Sequence, residues 1–427
     1  MLKNLSPHAL VFFILFFLGG LAVVAPVEIG YFSFSVLWVF LSVALFLIFS
    51  LSFSFYFLNN YNVKRLVRPS MTNRLLLVFK ICLFLSVIGV LVRFLDLLFL
   101  RGIDFSGGLS EARISLQALT YSSDSDIKKA GMLSAIGAVF YGFVFPVTIM
   151  LIMFWDEINK KYCYVAVIVA VAPAIESILN AGVMGLGFVL LYTTFGFLYR
   201  WCVNGYVVGV RTLLYFSFVC FFVLISGAWF FISRIEVMFG DVGDYFFYNR
   251  ALILPNENVL SAMDVPFLRE LAFGVYWLVS YLLQGIVEFA FLVDNFDENS
   301  HLNGSKQFFI VNKFFSILGV VEFSAYEITI ANPRPGRYQT VFGDVYMDFG
   351  FLGLIFQPVI LGVVCAYLYV KRMIGSVSAI ILYPFFQASI VMGPLINTFS
   401  GSRMYALAAC LMVIIMIKFS FSGDDKV

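Results

Sequence analysis

Charged residues are scarce in this chain: 12% of its 427 residues are Asp, Glu, Lys or Arg, whereas 62% are hydrophobic. Soluble domains carry about 25% charged and about 45 to 50% apolar residues, so this composition excludes a water-soluble protein. The net charge is only +2, and the one basic block is Lys64, Arg65 and Arg68. We therefore expect an integral membrane protein that binds membrane lipid and no nucleic acid.

Cysteine and histidine are also scarce and badly placed for a metal. The six cysteines include no C-x-x-C pair, and they lie in apolar runs or at the inner ends of those runs. The two histidines, His8 and His301, are far apart in sequence, whereas a catalytic zinc site normally takes three protein ligands. The sequence predicts neither a disulfide nor a metal site.

Nucleotide-binding signatures are missing as well. The chain has no G-x-x-x-x-G-K-[ST] loop and no dinucleotide-binding fingerprint between a strand and a helix. This argues against an ATP-driven pump within one chain and predicts no cofactor. Any group transfer would have to use a donor that is already activated.

Long apolar runs dominate what is present, and at about 20 residues per membrane span they predict about ten spanning helices. The connection 59–74 carries four basic residues and no acid, which places it and the N-terminus in the cytoplasm. The chain then divides into spans 1–232 with an outer loop 101–130, a long outer loop 233–344, and spans 345–427. The predicted spans are 9–25, 34–58, 75–100, 131–155, 162–179, 182–199, 212–232, 345–370, 376–396 and 404–419.

Two apolar stretches of the long loop leave the span count open. Residues 271–293 and 308–323 are apolar enough to form a further pair of spans, which would raise the count to twelve. Polar residues interrupt both stretches, and aromatics recur at roughly helical spacing. We favour helices that lie on the outer leaflet.

Arginines and carboxylates outside the membrane are the candidate site residues. Guanidinium binds phosphate bidentately and keeps its charge, so outer-loop arginines favour an anionic, lipid-linked substrate. A carboxylate beside them could accept a proton from a sugar hydroxyl. For each residue an ordinary salt bridge, helix cap or solvated loop is the alternative. The candidate diphosphate ligands are Arg101, Arg113, Arg250, Arg269, Arg334 and Arg337, and the candidate proton acceptors are Asp104, Asp344 and Asp348.

One charged pair is predicted inside a span. Arg93 and Asp96 are three residues apart, which puts them on one helical face, where a mutual salt bridge would offset the cost of burial.

Two stretches resemble a known family. GIDFSGGLSEAR (102–113) and RYQTVFGDVYMDFGFLG (337–353), with the overall plan of spans, resemble the bacterial oligosaccharide repeat-unit polymerases of the Wzy type, which build O-antigen. The arginine-to-glycine spacing described for some members, R followed by ten residues and G, does not occur among the outer-loop arginines here.

The resemblance implies a GT-C-like helical fold in the bacterial inner membrane, with an active site that faces the periplasm. It implies transfer of a growing glycan from undecaprenyl diphosphate to the next lipid-linked oligosaccharide repeat unit, without a cofactor. A chain-length regulator would be a further partner. The alternatives are a flippase for lipid-linked oligosaccharide, which would need its cations in a central cavity, and an O-antigen ligase, which shares the chemistry.

Overall fold

The computed structural model describes the bundle and much of the predicted outer loop. It covers residues 6–61, 63, 67–100, 103, 106, 108, 111–112, 115, 136–180, 183–205, 232, 252–265, 267–297, 300–317, 319–320, 328, 330–334 and 340–421.

The described residues are almost entirely helical, with one pair of short strands. In chain order the elements are α1 (Pro7–Val24), β1 (Val27–Ile29), α2 (Val36–Asn60), α3 (Asn73–Leu95), α4 (Val144–Phe154), α5 (Lys160–Leu179), α6 (Val183–Val203), β2 (Ile253–Pro255), α7 (Glu257–Met263), α8 (Arg269–Asn295), α9 (Phe309–Ile317), α10 (Val341–Met373), α11 (Val377–Met392) and α12 (Met404–Phe421).

Local sequence explains where several helices begin. The side chains of Ser6, Thr72 and Thr340 each accept a hydrogen bond from the backbone N–H three residues later, at the start of α1, α3 and α10. Such caps satisfy one of the N–H groups that a helix leaves free at its first turn. In an apolar environment an unsatisfied N–H is costly, so a cap fixes the first residue of the helix.

Eight helices in the described part of the chain are long and apolar enough to cross a membrane. Seven of them match predicted spans, with ends that agree within about five residues; the fourth of these runs from Ile136 to Phe154 and ends with α4. Helix α8 covers the apolar stretch 271–293, which left the span count open. The helices α11 and α12 match the last two predicted spans, although α11 has only 16 residues. The prediction of an all-α, multi-pass membrane protein is therefore confirmed. The predicted span 212–232 lies outside the described residues apart from Ile232.

The charged pair predicted inside the third span is present, with a third member. The Arg93 Nη1 atom lies 3.9 Å from the Asp96 carboxylate, and its Nε donates to the Glu176 carboxylate on α5 at 2.7 Å. Burying one charge in a membrane is costly, so a guanidinium with two acids around it is the arrangement expected. This cluster ties α3 to α5.

Basic residues collect at one end of the bundle, here called the basic end. Arg200 at the end of α6 donates to Asp156 at 2.9 Å, and Arg68 lies 3.6 Å from Glu157. Val67 N–H donates to the carbonyl of Met373, which places the end of α10 beside the same connection.

The opposite end, here called the sheet end, contains the connection between α1 and α2. Strand β1 lies in this connection and pairs antiparallel with β2, with Glu28 opposite Leu254. Residues 253–255 therefore return to the same end as residues 27–29.

Helix α8 lies along the sheet end. Near its start, Tyr276 O–H donates to the carbonyl of Ile253, and near its end Asp294 accepts from the hydroxyls of Tyr31 and Ser35. Tyr276 and Asp294 are about 27 Å apart along the helix, yet both contact the sheet end. Its 27 residues would also suffice for a crossing, so the membrane-hugging helix stays a prediction. The Asp294 carboxylate, which accepts its hydrogen bond, raises the pKa of Tyr31.

Candidate active site

The predicted site residues divide into a described and an undescribed group. Asp344, Asp348, Arg269 and Arg334 lie within the described residues. The remaining candidates lie outside them: Arg101, Asp104, Arg113, Arg250 and Arg337.

Asp344 and Asp348 lie one turn apart at the start of α10, at the sheet end, and both are buried. The Asp344 carboxylate accepts hydrogen bonds from Lys306 Nζ at 2.8 Å, from Asn397 Nδ2 at 3.1 Å and from Ser400 Oγ at 2.8 Å. These bonds join the segment 301–307 to the connection after α11. Asp344 thus holds three segments of the chain together.

The Asp348 carboxylate accepts hydrogen bonds from two backbone N–H groups of the segment 301–307. One oxygen accepts from the N–H of Lys306 at 3.1 Å, and the other accepts from the N–H of Gln307 at 2.7 Å. Hydrogen bonds to a charged acceptor are shorter and stronger than neutral ones. Asp348 is only 1% exposed, so this pair of bonds keeps the segment 301–307 against α10.

A break in α10 provides a further attachment point. Gly350 has φ 59° and ψ −151°, a backbone conformation that residues with a side chain rarely adopt. A broken helix frees carbonyls in the preceding turn for other donors. The carbonyl of Met347 accepts from Leu302 N–H at 2.9 Å and is 3.3 Å from His301 Nδ1.

The segment between His301 and Lys306 turns sharply. Asn303 and Gly304 both have positive φ, and the N–H of Ser305 donates to the carbonyl of Leu302. Asn-Gly is the residue pair that such a turn favours, because both central positions must adopt left-handed conformations. The turn sends Lys306 back toward Asp344.

These residues form the polar end of a groove of about 660 Å³ on the surface of α10. His301, Asn303, Gln307 and Asp348 line this end. The Gln307 amide nitrogen is buried and has no hydrogen-bond partner among the described residues. Polar groups are thus concentrated where the groove meets the sheet end.

The rest of the groove is apolar and faces outward. Leu352, Phe356 and Ile360 line it at four-residue spacing on one face of α10, and they are 60 to 65% exposed. They continue for about 12 Å along the helix. Exposed apolar side chains on a membrane-spanning helix face lipid, so this part of the groove is open to the bilayer.

A second cavity lies behind the groove, inside the bundle. It holds about 100 Å³ and is lined by residues of α1, α2, α10 and α11, nearly all of them apolar. Gln357, Leu361 and Phe399 line both the cavity and the groove. These three side chains therefore form the wall between the cavity and the groove.

The two described arginine candidates lie apart from each other. Arg334 Nε is 3.3 Å from the buried Glu288 carboxylate, and its guanidinium lies 5.5 Å from the centre of the Phe291 ring. Arg269 is the first residue of α8 and is exposed. Because Glu288 is 19 residues farther along the same helix, Arg269 is about 28 Å from the Arg334 pair along the helix axis. One diphosphate does not reach both.

Sequence reasoning missed three contributors to this site. His301 was considered only as a metal ligand, and Lys306 and Asn397 were not considered. The Asn303–Gly304 pair is the one local signal, because it predicts a tight turn. Asp344 is 38 residues from Lys306 and 53 residues from Asn397 in the sequence, and no local pattern predicts a contact over such separations.

No protein-family model matches the chain, and comparisons with curated proteins and with solved structures find no match.

Replacing Gly350 by Ala is expected to destabilise the groove. The added Cβ would lie 3.1 Å from His301 Nε2, and the backbone conformation at this position is strained for any L side chain. Such strain costs on the order of 1 to 3 kcal/mol. We expect a lower melting temperature of the detergent-solubilised protein, whereas Gly19→Ala in α1, where nothing lies within 4 Å of the added atom, should melt like wild type. Equal melting of both variants would contradict the strained conformation.

Proposed function

We propose that this protein is an inner-membrane polysaccharide polymerase with a GT-C-like fold. In this proposal it transfers a growing glycan from undecaprenyl diphosphate onto a lipid-linked oligosaccharide repeat unit. The observation that carries the proposal is the groove on α10, which has a polar end at the sheet end and an apolar wall open to the bilayer. A glycan linked to a polyprenyl chain has the same division into a polar and an apolar part.

The distribution of basic residues supports an outward-facing site. Arg68, Lys160, Arg200 and Lys371 lie at or beside the basic end, which the positive-inside rule assigns to the cytoplasm. The groove's polar end would then lie at the periplasmic face. Lipid-linked repeat units are available there to an enzyme that builds surface polysaccharide.

The chemistry proposed needs three parts: a site for the leaving diphosphate, a proton acceptor and a path for the lipid. Among the described residues, Arg334 is the arginine that we propose to bind the leaving diphosphate. Arg337, three residues later in the sequence, is a further candidate. Lys306 contributes a second positive charge beside the carboxylates. The lipid chain would lie along Leu352, Phe356 and Ile360. The energy for transfer comes from the diphosphate leaving group, so no cofactor is required.

Deletion of the gene, followed by electrophoresis of surface lipopolysaccharide, tests this function. We expect the ladder of long chains to vanish while a single repeat unit stays attached to the lipid A core. Complementation with the full chain should restore the ladder. Loss of every sugar beyond the core would point to a ligase or a flippase and would contradict the proposal. A normal ladder in the deletion strain would also contradict it.

A further inference from the structure

We propose that His301, rather than Asp344 or Asp348, is the general base of this site; the inference rests on the proposed transfer reaction. His301 stands on the loop that folds over α10, and its ring lines the polar end of the groove together with Asp348 and Gln307. A base must reach the proton that it removes. Among the described ionisable residues that line the groove, His301 has a ring nitrogen whose lone pair accepts no hydrogen bond.

The hydrogen bonding of the two carboxylates argues against them. Asp344 accepts from Lys306, Asn397 and Ser400, and Asp348 accepts from two backbone N–H groups. The oxygens of each carboxylate are therefore engaged by several donors, and each side chain is buried. Moving either carboxylate toward a substrate hydroxyl would break these bonds and release the segment that it anchors.

The contact of His301 with α10 determines which ring nitrogen is free. Nδ1 is 3.3 Å from the carbonyl of Met347, and a carbonyl only accepts, so Nδ1 carries the proton. Nε2 then has the lone pair. No described residue forms a hydrogen bond with Nε2, and the ring is only partly buried.

The surroundings of the ring hold it in place. Phe296 lies 5.6 Å and Tyr346 lies 5.9 Å from it, centre to centre. On the far side, Gly350 has no side chain, and a Cβ there would be 3.1 Å from Nε2. The break in α10 thus does two things: it frees the Met347 carbonyl that orients the ring, and it leaves space beside Nε2.

The proposed step moves one proton and exchanges one glycosidic bond. The acceptor hydroxyl oxygen of the incoming repeat unit attacks the anomeric carbon of the donor glycan as its proton passes to Nε2 of His301. The bond between that carbon and the phosphate oxygen breaks, and its electron pair leaves with undecaprenyl diphosphate. The imidazolium then returns its proton to water.

The test uses the full-length protein in lipid vesicles, with undecaprenyl-diphosphate-linked repeat units purified from the deletion strain. His301→Asn keeps an amide N–H that can reach the Met347 carbonyl but removes the base. We expect the turnover number to fall about 10²-fold to 10⁴-fold while KM stays within about threefold of wild type, because the proton acceptor acts in the transition state. The matched control is His8→Asn, at the chain's other histidine, which should turn over like wild type.

Chemical rescue separates a base from a structural residue. In His301→Ala, added imidazole should restore at least a tenfold increase in rate, and it should leave the rate of wild type unchanged. If the wild-type protein makes polymer and His301→Asn works within threefold of the wild-type rate, the role of His301 is overturned, whereas the proposed polymerase function stands. Loss without rescue, in a variant whose melting temperature has dropped, would also overturn it. If the wild-type protein makes no polymer from these substrates, the proposed function itself falls.

Discussion

Asp348→Ala is expected to lower the free energy of unfolding by about 3 kcal/mol, because two backbone N–H groups lose a charged acceptor and each such bond is worth about 1.5 to 3 kcal/mol. The N–H groups of Lys306 and Gln307 have their described bonds to this carboxylate. Without it the segment 301–307 would detach from α10. Polymer formation should vanish as well, since His301 and Lys306 both lie on that segment.

Thermal melting of the purified protein in detergent measures this loss. The melting temperature of Asp348→Asn should lie between those of Asp348→Ala and wild type. The amide keeps one accepting oxygen, but its NH2 group would face a backbone N–H. The matched control is Asp264→Ala: Asp264 is exposed at the end of α7, so its removal should leave melting unchanged. If Asp348→Ala has the melting temperature of wild type and yet makes no polymer, the carboxylate acts in the chemistry and is not an anchor.

Arg334→Leu is the second substitution for which we expect a large effect. Glu288 is 4% exposed, and removing the guanidinium would leave its carboxylate buried without this partner. Breaking a buried ion pair from one side costs about 3 to 5 kcal/mol. We expect a loss near the lower bound of that range, because the Arg334 side chain retains some exposure to solvent.

A double-mutant cycle separates the structural role of Arg334 from a role in binding diphosphate. Adding Glu288→Gln to Arg334→Leu removes the buried charge that has lost its guanidinium, so the double variant should recover most of the stability. Its polymerisation rate should stay low if the guanidinium also holds the leaving diphosphate. Recovery of both stability and rate would show that Arg334 is only a structural partner of Glu288.

The sequence was a good guide to the bundle, because spanning helices follow from composition alone. Apolar runs such as those of α1, α2 and α5 have to form helices in lipid, where each backbone group must be satisfied internally. The Arg93–Asp96 pair was predictable for a related reason, since two charges at helical spacing inside a span have few other partners. Both predictions depend only on neighbours in sequence.

The candidate site was predictable only in part. The sequence singled out Asp344 and Asp348, since they lie four residues apart on one helical face just after Arg334 and Arg337, but it contained no sign of their partners in the fold. Their partners lie in the segment 301–307 and after α11, and the break at Gly350 that frees the Met347 carbonyl is hidden in an apolar run. A contact between distant segments depends on the tertiary fold, which is why the part of His301 in the groove was missed.

Thiol labelling of the turn at Asn303 tests the central claim most directly: that the polar end of the groove faces away from the cytoplasm. Asn303 is exposed and lies in the turn that carries His301 and Lys306 to the groove. In a variant whose six native cysteines are replaced by serine, we compare Asn303→Cys with Lys161→Cys at the basic end. A membrane-impermeant maleimide should label Asn303→Cys in intact spheroplasts and Lys161→Cys only after lysis. The reverse pattern would put the groove's polar end in the cytoplasm and contradict the account.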